Sequence, residues 1–135
     1  MILSYDYNTR VRYADIDRMG IVYYSRYYEF FEAARTDMLR KLGLPYSSFE
    51  EMGYLMPVVE SHCEYKQGAT FDQLITVHCK ITEIPKVKLK IKYIVTDAIN
   101  GTLLVTGHTV HAFLNKDGKV CRAPQPFLKL FADTN

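Results

Sequence analysis

One stretch of this chain is spaced as a helix, and nearly everything after it is spaced as strands. From Ser25 on, Tyr27, Phe30, Phe31, Ala34, Met38, Leu39 and Leu42 fall at steps of three and four, while Glu29, Glu32, Asp37, Arg40 and Lys41 face elsewhere. This predicts one long amphipathic helix. Ser25 is placed to accept a hydrogen bond from its first free backbone N–H groups, and Gly43 with Pro45 supplies the stop. The apolar face is broad and aromatic, so it needs a large partner surface.

That surface comes from strands. Residues 5–13 alternate loosely with tyrosine, valine and threonine and read as a first strand, followed by a turn from Asp15 to Gly20. Ser47 or Ser48, with Glu50 or Glu51 three residues on, reads as the capping box of a short helix ended by Gly53. Beyond it, segments near 54–65, 73–84, 86–97, 103–114 and 119–123 are bounded by Gly68, Pro85, Asn100-Gly101 and Asp117-Gly118, all turn chemistry. Lys86, Lys88, Lys90 and Lys92 alternate with Val87, Leu89, Ile91 and Tyr93, so one face of that strand carries ammonium groups and the other is core. The expected class is α+β, one long helix laid against a curved antiparallel sheet of five or six strands.

The chain has 135 residues, which suits a single domain, and its 48% apolar content is enough for a true core. A net charge of +2 gives no general reason to expect nucleic acid or an anionic membrane as partner. Cys63, Cys79 and Cys121 are odd in number, widely spaced and without a CxxC pair, so neither a disulfide framework nor a cysteine zinc site is expected, and a reducing cytoplasm fits best. The opening MILSYDYNTR meets Asp6 and Arg10 before any apolar run of signal-peptide length. The longest stretch without Asp, Glu, Lys or Arg, Ala98 to Asn115, holds Asn100-Gly101 and two histidines, which fits a hairpin and not an integral membrane span.

No GxSxG, HExxH, phosphate-loop or dinucleotide fingerprint is present. His108 and His111 are three apart, and on a strand that places them on opposite faces, where they cannot share a metal ion. His62 and His78 read as hydrogen-bonded structural residues. The informative run is Asp15 to Tyr24: two carboxylates stand before a glycine turn whose exit is the helix N-terminus, where free N–H groups and the helix dipole favour negative charge. A carboxylate facing such groups can attack a polarised carbonyl or activate water to do so. Asp15 and Asp17 serve equally well as turn and capping residues. Spacing leaves both readings open.

The run Tyr13-Ala14-Asp15-Ile16-Asp17-Arg18-Met19-Gly20-Ile21-Val22-Tyr23-Tyr24, with Tyr27, Phe30-Phe31-Glu32 and Ala34-Arg35, resembles the active-site turn and central helix of the 4-hydroxybenzoyl-CoA thioesterase family of hot dog folds. Weaker pieces follow in order: Cys63-Glu64-Tyr65, Ala69 to Leu74, Gly107-x-Thr109-x-His111, and Lys119 to Pro124. The resemblance implies a single hot dog thioesterase domain over residues 1–135 that hydrolyses an acyl-CoA. Asp17 would be nucleophile or general base, the backbone N–H of Tyr24 would polarise the carbonyl, and Gly20, Ile21, Val22, Tyr23 and Tyr27 would lie at the substrate. Coenzyme A belongs to the substrate, or an acyl carrier protein replaces it, and no metal or redox cofactor is implied. Two subunits would pair sheets edge to edge as a homodimer, or double again to a homotetramer. Many relatives carry His at the place of Tyr24, and Asn is common at the place of Arg26.

For the phosphates of coenzyme A, Lys86 and Lys88 are the first candidates among a set that includes Lys90, Lys92, Lys119 and Arg122; the alternative is a solvated face. Glu60 and Glu64 read as partners of nearby cations rather than as a second catalytic carboxylate. The rival functions are a hot dog hydratase or dehydratase, which needs a histidine base, and a non-catalytic protein that binds acyl thioesters.

Overall fold

In the computed structural model of the chain, which describes residues 2–132, the helical spacing becomes α1, Arg26–Lys41. It buries Tyr27, Phe30, Phe31, Ala34, Met38 and Leu39. Leu42 lies just past the last turn and is 36% exposed, so the apolar face is one residue shorter than its spacing predicts. Ser25 does not cap: its dihedrals are already helical (φ −73°, ψ −18°) and its side chain makes no capping bond. Instead Arg26 N–H donates to Tyr23 O at 2.9 Å. The short helix α2, Tyr46–Glu51, likewise starts without the Ser–Glu box. Pro45 precedes it, and the Pro45 carbonyl accepts from Ser48 N–H (2.9 Å) and Phe49 N–H (3.2 Å).

Six strands, all paired antiparallel, form the sheet: β1 Leu3–Arg10, β2 Val58–Tyr65, β3 Leu74–Ile81, β4 Lys88–Asp97, β5 Leu103–Leu114 and β6 Val120–Cys121. Their order is β1-β3-β4-β5-β2, with β6 on β5. The ladders are shorter than the alternation suggests, for local reasons. The first strand ends at Arg10 because residues 13–15 close a turn of 3₁₀ helix. Pro57 has no N–H for a ladder, so β2 starts at Val58, and the earlier Leu55 makes only an isolated bridge to Leu114. Pro85 turns the chain between β3 and β4; Val87, expected in the core, precedes the strand and is 44% exposed. From Lys88 on the expected alternation holds, with Lys88, Lys90 and Lys92 outward and Leu89, Ile91, Tyr93 and Val95 buried.

A third helix, α3 Gln125–Ala132, has no counterpart in the sequence reading. Its Pro126 sits in the first turn, where a missing N–H costs nothing, and Phe127 packs edge-on to Phe49 (6.2 Å) and Phe113 (5.4 Å).

The backbone of α1 runs closest to β1 and β3, and its aromatic side chains reach across to β4 and β5. Phe31 stacks flat on Tyr93, centroids 4.2 Å apart. Gly107, paired with Tyr93 on one side and Cys63 on the other, leaves room for that stack. A β-carbon there would lie 2.6 Å from the His62 carbonyl oxygen and 2.9 Å from the Phe31 ring. Among the described residues no helix is long and apolar enough to cross a membrane.

Candidate active site

The two carboxylates of the glycine turn have different surroundings. Asp15 is buried, and its Oδ2 accepts from Arg12 N–H at 2.8 Å, closing the 3₁₀ turn. Its carbonyl accepts from Tyr23 N–H at 2.9 Å. Asp15 thus closes its own turn from a buried position. Asp17 is half-buried; its Oδ1 accepts from Met19 N–H at 2.7 Å, while Oδ2 has no protein partner among the described residues. The turn is closed by Gly20 N–H to Asp17 O (3.0 Å) and Asp17 N–H to Ile21 O (2.9 Å), and Gly20 takes the left-handed φ of +80° that this reversal requires.

The segment after β2 braces the turn. Val22 N–H donates to Ala69 O at 2.9 Å, Ile21 bridges Thr70, and Ala69 N–H reaches the Tyr27 hydroxyl at 3.4 Å. Gly68 lies so close that a β-carbon on it would stand 2.6 Å from Ile21 Cγ2. Between the turn, the start of α1 and this segment lies a cavity of about 270 Å³. Asp17, Ile21, Val22, Tyr23, Tyr24 and Tyr27 line it on one side, and Tyr65 to Gly68 on the other. The N–H groups of Tyr24 and Ser25, just ahead of α1, have no acceptor among the described residues. Asp17, with one carboxylate oxygen unpaired, and Tyr24, with its N–H unpaired, thus line the same cavity; a carboxylate of this kind can accept a proton or attack a carbonyl, and a free N–H can stabilise an oxyanion.

Three of the surrounding phenols are shifted toward the neutral form. The Tyr24 hydrogen bond raises Tyr23, and burial raises Tyr27 and Tyr65 above the ordinary tyrosine range. Burial also pushes up the Cys63 thiol behind Tyr65. The cation on the cavity wall is Lys66, 3.6 Å from Glu64. No histidine lines the cavity.

Five of the residues expected at the substrate, Ile21 to Tyr24 and Tyr27, thus meet Asp17, with Gly20 shaping the turn. Lys86 and Lys88 do not. They line a separate hollow of about 370 Å³ with Lys90 and Lys92, on the sheet face turned away from α1. Along β4, Lys88 lies seven residues from Val95, whose neighbour Val105 is in register with Tyr65. At ~3.3 Å per residue that is about 23 Å from the cavity. Tyr65, Lys66, Gln67 and Gly68 are the site residues that sequence reasoning did not single out; Gly68 was visible only as a turn residue and Tyr65 only as part of a weak match.

The histidines fall as their spacing predicts. His111 points inward and closes a buried chain: His111 Nδ1 faces Met56 O at 3.0 Å, so that nitrogen is the donor and Nε2 accepts from Thr109 (2.9 Å). Thr109 in turn accepts from Tyr93 at 2.8 Å. Burial holds His111 below the usual imidazole range. His108 points outward, stacks on His62 at 5.3 Å and lies 3.5 Å from Glu60; His62 is 3.5 Å from Glu64. His78 bonds Asp6 at 2.7 Å and Thr96 at 3.1 Å. Glu60 and Glu64 are paired groups outside the cavity.

The sequence matches the model of the thioesterase-like superfamily over residues 11–131. A relative in Aquifex aeolicus is 30% identical over 131 residues, 97% of this chain and the whole of its own length. The acyl-CoA thioester hydrolase YbgC of Escherichia coli O6:H1 is 32% identical over 95 residues, 70% of each chain. Among solved structures, the DHNA-CoA thioesterase of Staphylococcus aureus superposes with a TM-score of 0.88 at 26% identity, covering 96% of this chain and 89% of its own.

Proposed function

The chain belongs to the thioesterase-like superfamily, whose members here share its hot dog fold, and we propose that it is an acyl-CoA thioesterase with Asp17 as its catalytic carboxylate. The observation that carries the assignment is that Asp17, with one carboxylate oxygen unpaired, and Tyr24, with its N–H unpaired, line one cavity, while Asp15 is buried outside it. As general base, Asp17 takes a proton from water, whose oxygen attacks the thioester carbonyl. The oxyanion is held by Tyr24 N–H, and collapse breaks the carbon–sulfur bond; the proton held by Asp17 returns to the coenzyme A thiolate. As nucleophile, Asp17 forms an acyl anhydride and expels the thiolate; water then cleaves the anhydride to acid and free carboxylate, and the proton released goes to the thiolate. A hydratase or dehydratase needs a histidine base, and none lines this cavity.

Asp17→Asn tests the role. The amide oxygen still accepts from Met19 N–H, so the turn persists, while proton acceptance and attack are lost. Hydrolysis of an acyl-CoA panel, read as thiol release, is expected to fall by ~10² to 10⁴ or more with the fold intact. Near-normal turnover, or loss on Asp15→Asn without unfolding, would refute the assignment.

In our reading the working unit is a homodimer, or a homotetramer built from it, paired through β2. This strand ends the sheet on one side, and Val58, Val59 and Tyr65 on it are 44%, 54% and 47% exposed. Lys86 and Lys88 would meet coenzyme A phosphates only from such a second copy, given their distance from Asp17 in their own chain. The three cysteines are free thiols, which supports a cytoplasmic site of action.

A further inference from the structure

The turn that presents the free N–H groups is short of side-chain anchors. Its backbone is held by Tyr23 N–H to Asp15 O (2.9 Å), Arg26 N–H to Tyr23 O (2.9 Å) and Tyr28 N–H to Ser25 O (3.2 Å). Ser25 adds no capping bond, and the Tyr24 side chain is 59% exposed. Among the described residues a single side chain bonds the backbone of residues 23–25: the Tyr65 hydroxyl, which donates to Tyr24 O at 3.1 Å.

Tyr65 is suited to this. It is the last residue of β2, in register with Val105 of β5, so its main chain is fixed by the sheet. Its ring packs edge-on to Tyr24 (6.4 Å) and against Tyr27 (5.6 Å). The Tyr24 N–H and carbonyl flank one α-carbon, and with Tyr23 N–H held on Asp15 O, a donor that pins the carbonyl limits the combined rotation about that carbon and with it the swing of the N–H.

We propose that Tyr65 is a positioning residue for thioester hydrolysis, its hydroxyl holding the Tyr24 carbonyl so that the Tyr24 N–H stays aimed at the reacting carbonyl oxygen. This rests on the thioesterase reading for its consequence in rate, but not for its consequence in local order. Burial keeps the phenol protonated, and hence a donor, through the neutral and mildly alkaline range.

Tyr65→Phe removes the donor and keeps the ring. Because the N–H acts on charge that develops in the transition state, kcat is expected to fall about tenfold with KM within about twofold, and the pH profile keeps its shape. A merely structural tyrosine would lower the melting temperature and leave kcat alone. Hydrogen exchange gives a readout without substrate: a peptide covering residues 22–26 is expected to exchange several-fold faster in the variant, with α1 beyond Phe30 unchanged. Unchanged exchange overturns the proposal whatever the rates, as does an unchanged kcat in an enzyme that turns over. If the wild-type chain hydrolyses no acyl-CoA, the thioesterase reading falls, and the exchange result alone decides whether Tyr65 orders the turn.

Discussion

Gly68→Ala probes how tightly the Asp17 turn is held by the segment behind it. The new β-carbon would lie 2.6 Å from Ile21 Cγ2, 2.9 Å from Ile21 Cβ and 3.1 Å from Cδ1. Carbon atoms in contact settle near ~3.5–4.0 Å, so relief needs a displacement of about 1 Å. A rotamer change does not supply it, because the clash includes Ile21 Cβ, next to the main chain. The backbone of Ile21 therefore moves, and its carbonyl is bonded to Asp17 N–H at 2.9 Å. Displacing a reacting group by ~1 Å can cost about 10² in rate, equivalent to ~2.7 kcal/mol of barrier. The fold loses less: overpacking costs ~1–3 kcal/mol, and the site is at the sheet's edge rather than in the core. The assay is thiol release from acyl-CoA with denaturant melts in parallel. Ile21→Ala removes the Cγ2 and Cδ1 contacts and keeps the Cβ contact at 2.9 Å, so the Gly68→Ala/Ile21→Ala double variant is expected to recover part of the turnover lost in Gly68→Ala. Wild-type turnover in Gly68→Ala, or a double variant slower than either single one, would refute the bracing of Asp17 through Ile21.

His111 is held neutral by burial, so the unfolded chain binds its proton first as pH drops. Stability from this group is present above ~6.5 and is lost as pH falls toward the lower folded value, at up to ~1.4 kcal/mol per pH unit. Urea melts between pH 7.5 and about 5 should show this loss, and His111→Gln should flatten it; equal slopes in both proteins would sink the idea. Light scattering is expected to give at least a dimer mass, and a monomer at micromolar concentration would remove the pairing through β2. Lys86→Glu with Lys88→Glu should raise KM for coenzyme A esters at nearly constant kcat, whereas an unchanged KM would make the lysine row a solvated face.

The parts of the fold legible in the sequence are those set by local periodicity. Helix α1 and strand β5 fall where their spacing puts them, because one amphipathic face or one alternating run decides each. The misses are places where a neighbour decides. The first strand stops at Arg10, and β2 begins only at Val58 because Pro57 cannot join the ladder. Helix α3 has no counterpart in the sequence reading; Pro124 and Pro126 stand at its start, where proline is tolerated, and Phe127 and Phe131 find their cover in the core. Capping failed for a similar reason: Ser25 and the Ser–Glu pairs have the right residue types, but other groups close those first turns.

The candidate site divides along the same line. Asp17, Gly20 and Tyr24 lie within eight residues, so the glycine reversal and the helix start place them together whatever the rest of the chain does. The choice between Asp15 and Asp17 was not local in that sense: each accepts one nearby backbone N–H, and what separates them is that Asp15 is buried while Asp17 lines a cavity whose far wall is Tyr65 to Gly68. Tyr65 lies 41 residues from Tyr24, and no periodicity links them. What joins them is the register of β2 on β5, in which Tyr65 pairs with Val105 and Cys63 with Gly107, where the Phe31 ring of α1 comes close. A site of this kind is half written in one short motif. Its other half comes from sheet pairing, which sets the cavity wall and the hydrogen bond that steadies the N–H donors against it.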